Sequence, residues 1–118
     1  RNSILRPVLQ RKYFLKQDFQ EYVWMDIRWE TDKLPKPTRA VKGVLHLTDL
    51  FGDPKLSINV TLEEPLTPGN PYLQKGTGFK YNQFMDSHNW VRATEEKNLR
   101  VVFVPKSVIY TDGTRKDF

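Results

Sequence analysis

The chain has 118 residues, of which 38% are apolar and 13% aromatic. This length and composition suit one domain with one packed core and are too apolar for a disordered segment. The absence of cysteine excludes a disulfide scaffold, thiol catalysis and a zinc site with cysteine ligands. The net charge is +5, but the basic residues are scattered rather than collected in one block. The sequence therefore predicts a solvated basic surface, with a polyanion site as the alternative.

The chain begins at Arg1 and not at Met, so we expect a fragment or a processed product, with room for a signal or anchor segment upstream. No apolar run approaches the roughly 18 residues that a membrane span needs. Residues 1–9, with Pro7 near their end, are interpreted as a lead-in segment, and residues 10–118 as a single domain.

Most of the chain alternates apolar and polar residues, which is typical of half-buried β-strands. Strands are predicted at residues 10–16, 20–29, 39–50, 55–63, around Phe79 and Tyr81, at 99–104, at 108–111 and from Thr114 onwards. The predicted inward-facing residues are Val23, Met25, Ile27, Leu45, Leu47, Leu56, Ile58, Val60, Leu62, Leu99, Val101 and Phe103. These residues would form the core.

Turn residues separate these runs. Residues 49–54, "DLFGDP", are interpreted as a hairpin bend in which the acids cap the backbone and Gly52 takes positive φ. Leu50 and Phe51 are expected to tuck under this bend as an apolar plug. Asp112-Gly113 predicts another tight turn, whereas residues 83–92 break the alternation and predict a short helical crossover.

About seven short strands with turns between them predict an all-β fold, a single-domain immunoglobulin-like antiparallel β-sandwich. The same pattern also suits a small OB-like barrel, which is the alternative. Strand pairing depends on contacts between distant residues, so the pattern does not decide between the two.

No motif for catalysis or metal binding stands out. Four acids lie in predicted turns or at strand ends, but they lack the dense spacing of a calcium loop: Asp49, Asp53, Asp86 and Asp112. The two histidines are interpreted as a surface residue and a loop residue: His46 and His88. "GTGF" at 76–79 has two glycines but lacks the strand–helix context of a phosphate loop. We therefore expect no catalytic residue, no cofactor and no metal site.

Tyr22 and Trp24 raise a different possibility, because they alternate with the inward residues of their strand. Arg28 lies on the same predicted face. Exposed aromatic residues beside a cation can grip a protein partner or stack on nucleic-acid bases. Tyr22, Trp24 and Arg28 are therefore the predicted partner-binding residues, unless both faces of this strand are buried.

Three turn-rich pieces follow one another in the C-terminal two-thirds: "LTDLFGD" at 47–53, "PLTPGNP" at 65–71 and "VIYTDGT" at 108–114. This order resembles that of a loose group of bacterial extracytoplasmic immunoglobulin-like domains. The resemblance implies an accessory sandwich, often tethered to a membrane, that binds a partner and catalyses nothing. It implies a periplasmic or cell-surface location and assigns no functional residues.

Three hypotheses follow. The first is a non-catalytic interaction or accessory module outside the cytoplasm, with a protein or envelope partner. The second is an OB-like domain that binds single-stranded nucleic acid through Tyr22, Trp24 and Arg28, which a steep dependence on salt would reveal. The third is an enzyme whose site is built from Asp86, His88 and Trp90, which requires Asp86 and His88 to meet in a deep pocket.

Overall fold

The computed structural model describes residues 3–118, and within them the chain forms seven β-strands, one α-helix and a short 3₁₀ helix. The strands are β1 (Arg6–Gln17), β2 (Gln20–Glu30), β3 (Thr38–Thr48), β4 (Pro54–Leu62), β5 (Tyr72–Lys80), β6 (Arg100–Tyr110) and β7 (Arg115–Asp117). The helix α1 covers Asp86–Ala93, and the 3₁₀ helix covers Glu96–Asn98.

The strands form two sheets, and every pairing within them is antiparallel. Sheet A has the order β1-β2-β5, and sheet B has the order β4-β3-β6-β7. The all-β sandwich is therefore confirmed, and the chain does not close into the single barrel of the alternative. The helix falls in the region of the predicted crossover at residues 83–92 and ends one residue beyond it, at Ala93.

The core lies between the two sheets and is built from the inward residues of the alternating strands. In β2, Val23, Met25 and Ile27 are all at most 1% exposed, as their alternation predicted. Trp29 of sheet A meets Phe103 of sheet B edge to face, with 5.0 Å between ring centroids. Burial of one such side chain stabilises the fold by about 1.5–3 kcal/mol, so these stripes hold the sheets together. Two predicted inward residues on the edge strand β4 are only half-buried: Leu56 and Ile58.

Three strands differ clearly from their predicted bounds. β5, predicted around Phe79 and Tyr81, begins at Tyr72 and ends before Tyr81, at Lys80. β1 begins at Arg6 rather than at residue 10, so part of the predicted lead-in belongs to sheet A, while residues 1–2 lie outside the described residues. The predicted strands 99–104 and 108–111 are one continuous strand, β6. Pro105 cannot donate a hydrogen bond to a neighbouring strand, so the sequence around it predicts the end of a strand. The sheet accommodates it with a register shift between Lys42 and Gly43 of the neighbouring strand.

The bend between β3 and β4 is the predicted hairpin turn, but the predicted apolar plug is wrong. The Asp49 carboxylate accepts hydrogen bonds from the Phe51 and Asp53 backbone N–H groups at 2.9 and 3.0 Å, and Gly52 has φ of +86°. Phe51 is 92% exposed and Leu50 is 46% exposed. A tight turn held by its own polar groups leaves no cavity beneath it, so the two apolar side chains point outwards.

The helix α1 lies between the two sheets, where it packs against β4 of sheet B and contacts Lys12 and Phe14 of β1 in sheet A. Val91 of α1 is fully buried, and the Arg92 guanidinium lies 3.8 Å from the Phe14 ring centroid. Lys12 of β1 donates from Nζ to the carbonyl oxygens of Val91, Arg92 and Thr94, which ends the helix. Within residues 3–118, no helix has the length and apolar character to cross a membrane.

Candidate functional site

The outer face of sheet A carries a group of large apolar and aromatic side chains. Residues that pair directly across antiparallel strands share a face of the sheet. Leu15 pairs with Tyr22, Tyr13 pairs with Trp24, and Leu73 pairs with Arg28. We call the set Tyr13, Leu15, Tyr22, Trp24 and Leu73 the aromatic face.

No other element covers this face within the described residues. Leu15 is 39% exposed and Leu73 is 48% exposed. Tyr22 and Trp24 are half-buried and stack on each other: their rings are nearly parallel, at 12°, with centroids 5.3 Å apart. The reading in which both faces of β2 are buried is therefore wrong. One face of β2 packs in the core, and the other carries exposed aromatic and apolar side chains of the kind that mark interaction sites.

Positive charge borders the aromatic face, but part of it is already neutralised. The Arg28 Nε donates to a Glu30 carboxylate oxygen at 2.6 Å, and Asp26 lies on the same face. The Arg11 guanidinium lies 4.2 Å from the Tyr13 ring centroid, which is a cation–π contact. Arg11 and Tyr13 are therefore parts of the face that the sequence analysis missed. Arg11 and Tyr13 are two residues apart on one strand, and this spacing predicts that they lie on the same face of the sheet.

Gly78 lets the backbone of β5 approach that of β2 closely beside Trp24. It is the β5 partner of Trp24 in the sheet, and a Cβ atom built there would overlap the Val23 carbonyl oxygen. Only glycine permits this close backbone approach. The "GTGF" segment is thus a structural part of β5, in which Gly76 has φ of +78° and donates its N–H to Asp26 at 3.2 Å.

The residues of the enzyme hypothesis do not meet in one pocket. Residues two apart on a helix do not face each other, and α1 places Asp86, His88 and Trp90 at this spacing. His88 lines an open cleft of about 720 Å³ between the β1–β2 turn and the loop before α1, whereas Asp86 does not line it. Trp90 instead faces Lys55, whose Nζ is 5.7 Å from a ring centroid of the indole.

His88 has a structural role in this cleft. Its ring packs at 4.5 Å from Phe79, and its Nδ1 accepts the Asn82 backbone N–H at 3.0 Å. Burial lowers the pKa of His88 below its usual 6.5, which favours the neutral ring. His46 lies apart from it on sheet B, where its Nδ1 is 2.6 Å from Ser57 Oγ.

Two of the predicted loop acids, Asp49 and Asp112, serve as turn formers, whereas Asp86 is the first residue of α1. Asp112 accepts hydrogen bonds from Lys36 and from Thr114, and these bonds hold the pKa of its carboxyl well below its usual range. Together with Gly113, at φ of +89°, it makes the predicted tight turn. Among the residues that the structure describes, no three His, Asp or Glu side chains lie close enough together to hold a metal ion.

The cleft beside His88 also carries apolar residues that the sequence analysis passed over. Asp18 and Phe19, which connect β1 to β2, both have positive φ, and Phe19 is 99% exposed. Phe84, on the opposite wall, is 86% exposed. No periodic pattern includes these residues, because each lies in a turn.

Comparison with known proteins found no family model that matches the chain, no similar curated protein and no similar solved structure.

Proposed function

We propose that the domain is a non-catalytic interaction module that binds a protein partner through the aromatic face. The observation that carries this proposal is the uncovered outer surface of sheet A. This surface carries the parallel Tyr22–Trp24 pair with the exposed Leu15 beside Tyr22, and the exposed Leu73 lies beyond Asp26, opposite Arg28. Aromatic residues that present a broad apolar area at low entropic cost are the usual anchors of protein interfaces.

The arrangement of the rings favours a protein partner over nucleic acid. Tyr22 and Trp24 stack on each other, so one face of each ring is no longer available to a base. Glu30 pairs with Arg28, which reduces the attraction of this edge for phosphate. An apolar patch bordered by both positive and negative charges suits a partner protein whose surface also has an apolar centre and a charged rim.

Single-stranded nucleic acid is the second candidate, and one observation supports it. Arg11 lies over the Tyr13 ring on the same face as Trp24, which combines a cation with planar stacking surfaces. A base could stack on the free side of such a ring, and the phosphate could approach the guanidinium. The net charge of +5 would assist the encounter.

A location outside the cytoplasm, at a membrane surface or in an envelope, stays a prediction. Its support is the likeness of the three turn pieces to extracytoplasmic immunoglobulin-like domains. The interaction proposal does not depend on this location, because it rests on the sheet face alone.

The test selects peptides that bind the purified domain from a random displayed library and then compares two variants. We expect Trp24→Ala to weaken the selected peptides about tenfold or more, because an aromatic anchor is lost. Trp90→Ala, which removes a half-buried indole from α1 on another surface, is the matched control and should bind them normally. Equal binding to wild type and Trp24→Ala would contradict the proposal.

The nucleic-acid candidate is tested with fluorescent oligothymidylate at about 20 mM and about 200 mM salt. Binding that weakens steeply with salt and is lost in Trp24→Ala would favour it over a protein partner. No binding at the lower salt concentration would remove it. Thermal unfolding of both variants shows whether each one is folded before binding is compared.

A further inference from the structure

Strand β4 forms one outer edge of sheet B, because β3 is its only neighbour in the sheet. It pairs with β3 from Pro54 to Leu62, and within residues 3–118 no backbone group bonds to its other side. Its one described side-chain hydrogen bond joins Ser57 to His46 of β3. The outer row of N–H and C=O groups of β4 is therefore open to another strand.

One face of β4 is covered and the other is exposed. Four alternating side chains pack in or against the core: Leu56, Ile58, Val60 and Leu62. The helix α1 contacts the strand from between the two sheets. The residues between these four are exposed on the outer face: Ser57, Asn59 and Thr61. A strand added at this edge would therefore extend both an apolar inner face and a polar outer face.

The edge of β4 lacks the features that usually keep sheet edges from pairing with another chain, which are charges, prolines and bulges. In sheet A, β1 carries several arginines and lysines, and β5 is interrupted by Gly76 at positive φ. At the opposite edge of sheet B, β7 has only three residues. Residues 56–62 of β4, "LSINVTL", have no charge and no proline, and they pair with β3 without a register shift.

The charges at the two ends of β4 make the strand complementary to itself. In a two-fold pair of identical antiparallel strands centred on Asn59, each Lys55 lies opposite Glu63 of the second copy. Opposite charges that face each other across two strands stabilise the pair. A shift of the centre by one residue in either direction separates these charges, so they select one register.

Both charged groups are available for this contact. Lys55 and Glu63 are exposed, and Glu63 forms no ion pair with a described residue. The Lys55 Nζ lies 3.8 Å from an Asp49 carboxylate oxygen, a long surface contact that contributes little.

The apolar residues match in the same register. Leu56 lies opposite Leu62 of the second copy, and Ile58 lies opposite Val60, all on the inner face. Leu56 and Ile58 are only half-buried in the single chain, so pairing covers apolar surface that β4 leaves partly open.

We propose that two copies of the chain associate by antiparallel pairing of β4 with β4 about a two-fold axis at Asn59. Two symmetric Lys55–Glu63 ion pairs fix the register, and the two four-stranded sheets become one continuous sheet. This edge belongs to sheet B, so the inference is separate from the aromatic face and does not rest on the proposed function.

A single introduced cysteine reports the position of the axis, because the chain has no cysteine of its own. Asn59→Cys places two thiols directly opposite each other, with their Cα atoms about 4.5–5.5 Å apart, a separation that a disulfide spans. We expect mild oxidation to convert most of this variant into a covalent dimer. Ser57→Cys and Thr61→Cys, at exposed positions of the same strand, are the matched controls. Their equivalent thiols lie more than about 10 Å apart in this register and should cross-link about tenfold more slowly.

Reversal of the charges tests the ion pairs, with dimerisation measured by sedimentation equilibrium up to about 1 mM. We expect Lys55→Glu and Glu63→Lys each to weaken dimerisation about tenfold or more, because like charges then face each other. The combined variant Lys55→Glu/Glu63→Lys restores opposite charges and should return to within about threefold of wild type. Lys106→Glu, at an exposed position of β6, is the control and should dimerise normally. Thermal unfolding shows that each variant is folded.

Three outcomes would overturn the proposal. The first is a wild-type chain that stays monomeric up to about 1 mM and an Asn59→Cys variant that cross-links no faster than its controls. The second is faster cross-linking of Ser57→Cys or Thr61→Cys, which would place the axis elsewhere. The third is a dimer that persists in both single charge reversals but is lost in Trp24→Ala, which would assign it to the aromatic face.

Discussion

Lys12 shows how a single side chain fixes the crossover between the sheets. The last carbonyl groups of any helix lack partners within it. Lys12 reaches three of them from β1, and its backbone N–H donates to the Glu96 carboxylate at 2.6 Å. Burial lowers the pKa of the Lys12 ammonium, and the nearby Glu96 charge partly opposes this shift. One residue thereby ties β1 to both helical segments.

Replacement of Lys12 by Met keeps the length of the side chain and removes the donor. We expect Lys12→Met to lower the free energy of unfolding by about 1–2 kcal/mol, because helix carbonyls lose a charged partner. Chemical denaturation measures this change. Lys16→Met, at an exposed position on the same strand, is the control and should cost less than about 0.5 kcal/mol. Equal losses in the two variants would show that the ammonium contributes nothing specific.

His88 is expected to make the fold sensitive to acid. Its folded pKa is lowered by burial below the usual 6.5, so the unfolded chain takes up a proton that the folded chain resists. The contribution of His88 to the free energy of unfolding is therefore fully present above about pH 6.5 and is lost as the pH falls below that value. The melting temperature of wild type should drop more between about pH 8 and about pH 5 than that of His88→Gln.

The same pair of measurements on His46→Gln assigns the effect to one imidazole. If His88→Gln keeps the whole acid response of wild type, the neutral His88 ring is not its source. The Asn82 N–H that bonds to Nδ1 gives a second readout. Its protection factor, which corrects for the intrinsic pH dependence of amide exchange, should be smaller in wild type at the lower pH, because a protonated Nδ1 cannot accept its hydrogen bond.

At the scale of the element, the backbone conformation of β5 depends on its pairing with β2. Its register against β2 shifts between Met25 and Ile27, where Gly76 turns at positive φ. Gly78 then brings its backbone against Val23, beside Trp24. β5 thus has glycine at two positions, one where its backbone turns and one where it packs closely against the backbone of β2.

A methyl group at Gly78 tests this close approach. We expect Gly78→Ala to lower the free energy of unfolding by about 3 kcal/mol, because the new Cβ overlaps the Val23 carbonyl and the strands must separate. Gly52→Ala is the control: it has open space around it but a φ of +86°, so its cost is about 1 kcal/mol of backbone strain. Denaturant melts compare the two. A smaller loss for Gly78→Ala than for Gly52→Ala would contradict the close packing.

At the scale of the whole molecule, two sheets share one core. The inward residues of β2 in sheet A and of β3 in sheet B belong to a single buried cluster. Neither sheet has a second apolar layer, so neither can bury its inner face without the other. The sandwich should therefore unfold as one unit.

Two substitutions, one in each sheet, test this cooperativity. Ile27 and Leu45 are both fully buried, and we expect Ile27→Ala and Leu45→Ala each to cost about 2–5 kcal/mol. Each should shift one single transition that is the same by fluorescence and circular dichroism. Leu73→Ala, on the aromatic face, should cost less than about 1 kcal/mol. Separate transitions for the two sheets would show that the core is not shared.

The candidate site was predictable only in part. Tyr22, Trp24 and Arg28 were placed on one face by their spacing, and the structure puts them on the outer face of sheet A. That this face stays uncovered depends on which strands and loops pack elsewhere. The exposed positions of Leu50 and Phe51 have the same origin, because burial of an apolar turn residue requires a cavity beneath it.

The sequence by itself determined the local features: the inward stripe of β2, the Asp49 and Asp112 turns and the helical crossover. Each follows from residues a few positions apart, since strand alternation and turn capping are short-range effects. Only the tertiary structure decided the order of the strands and the contact of Lys12 with α1. These features join segments far apart in the chain, and alternation tells which face of a strand is buried but not which strand becomes its neighbour.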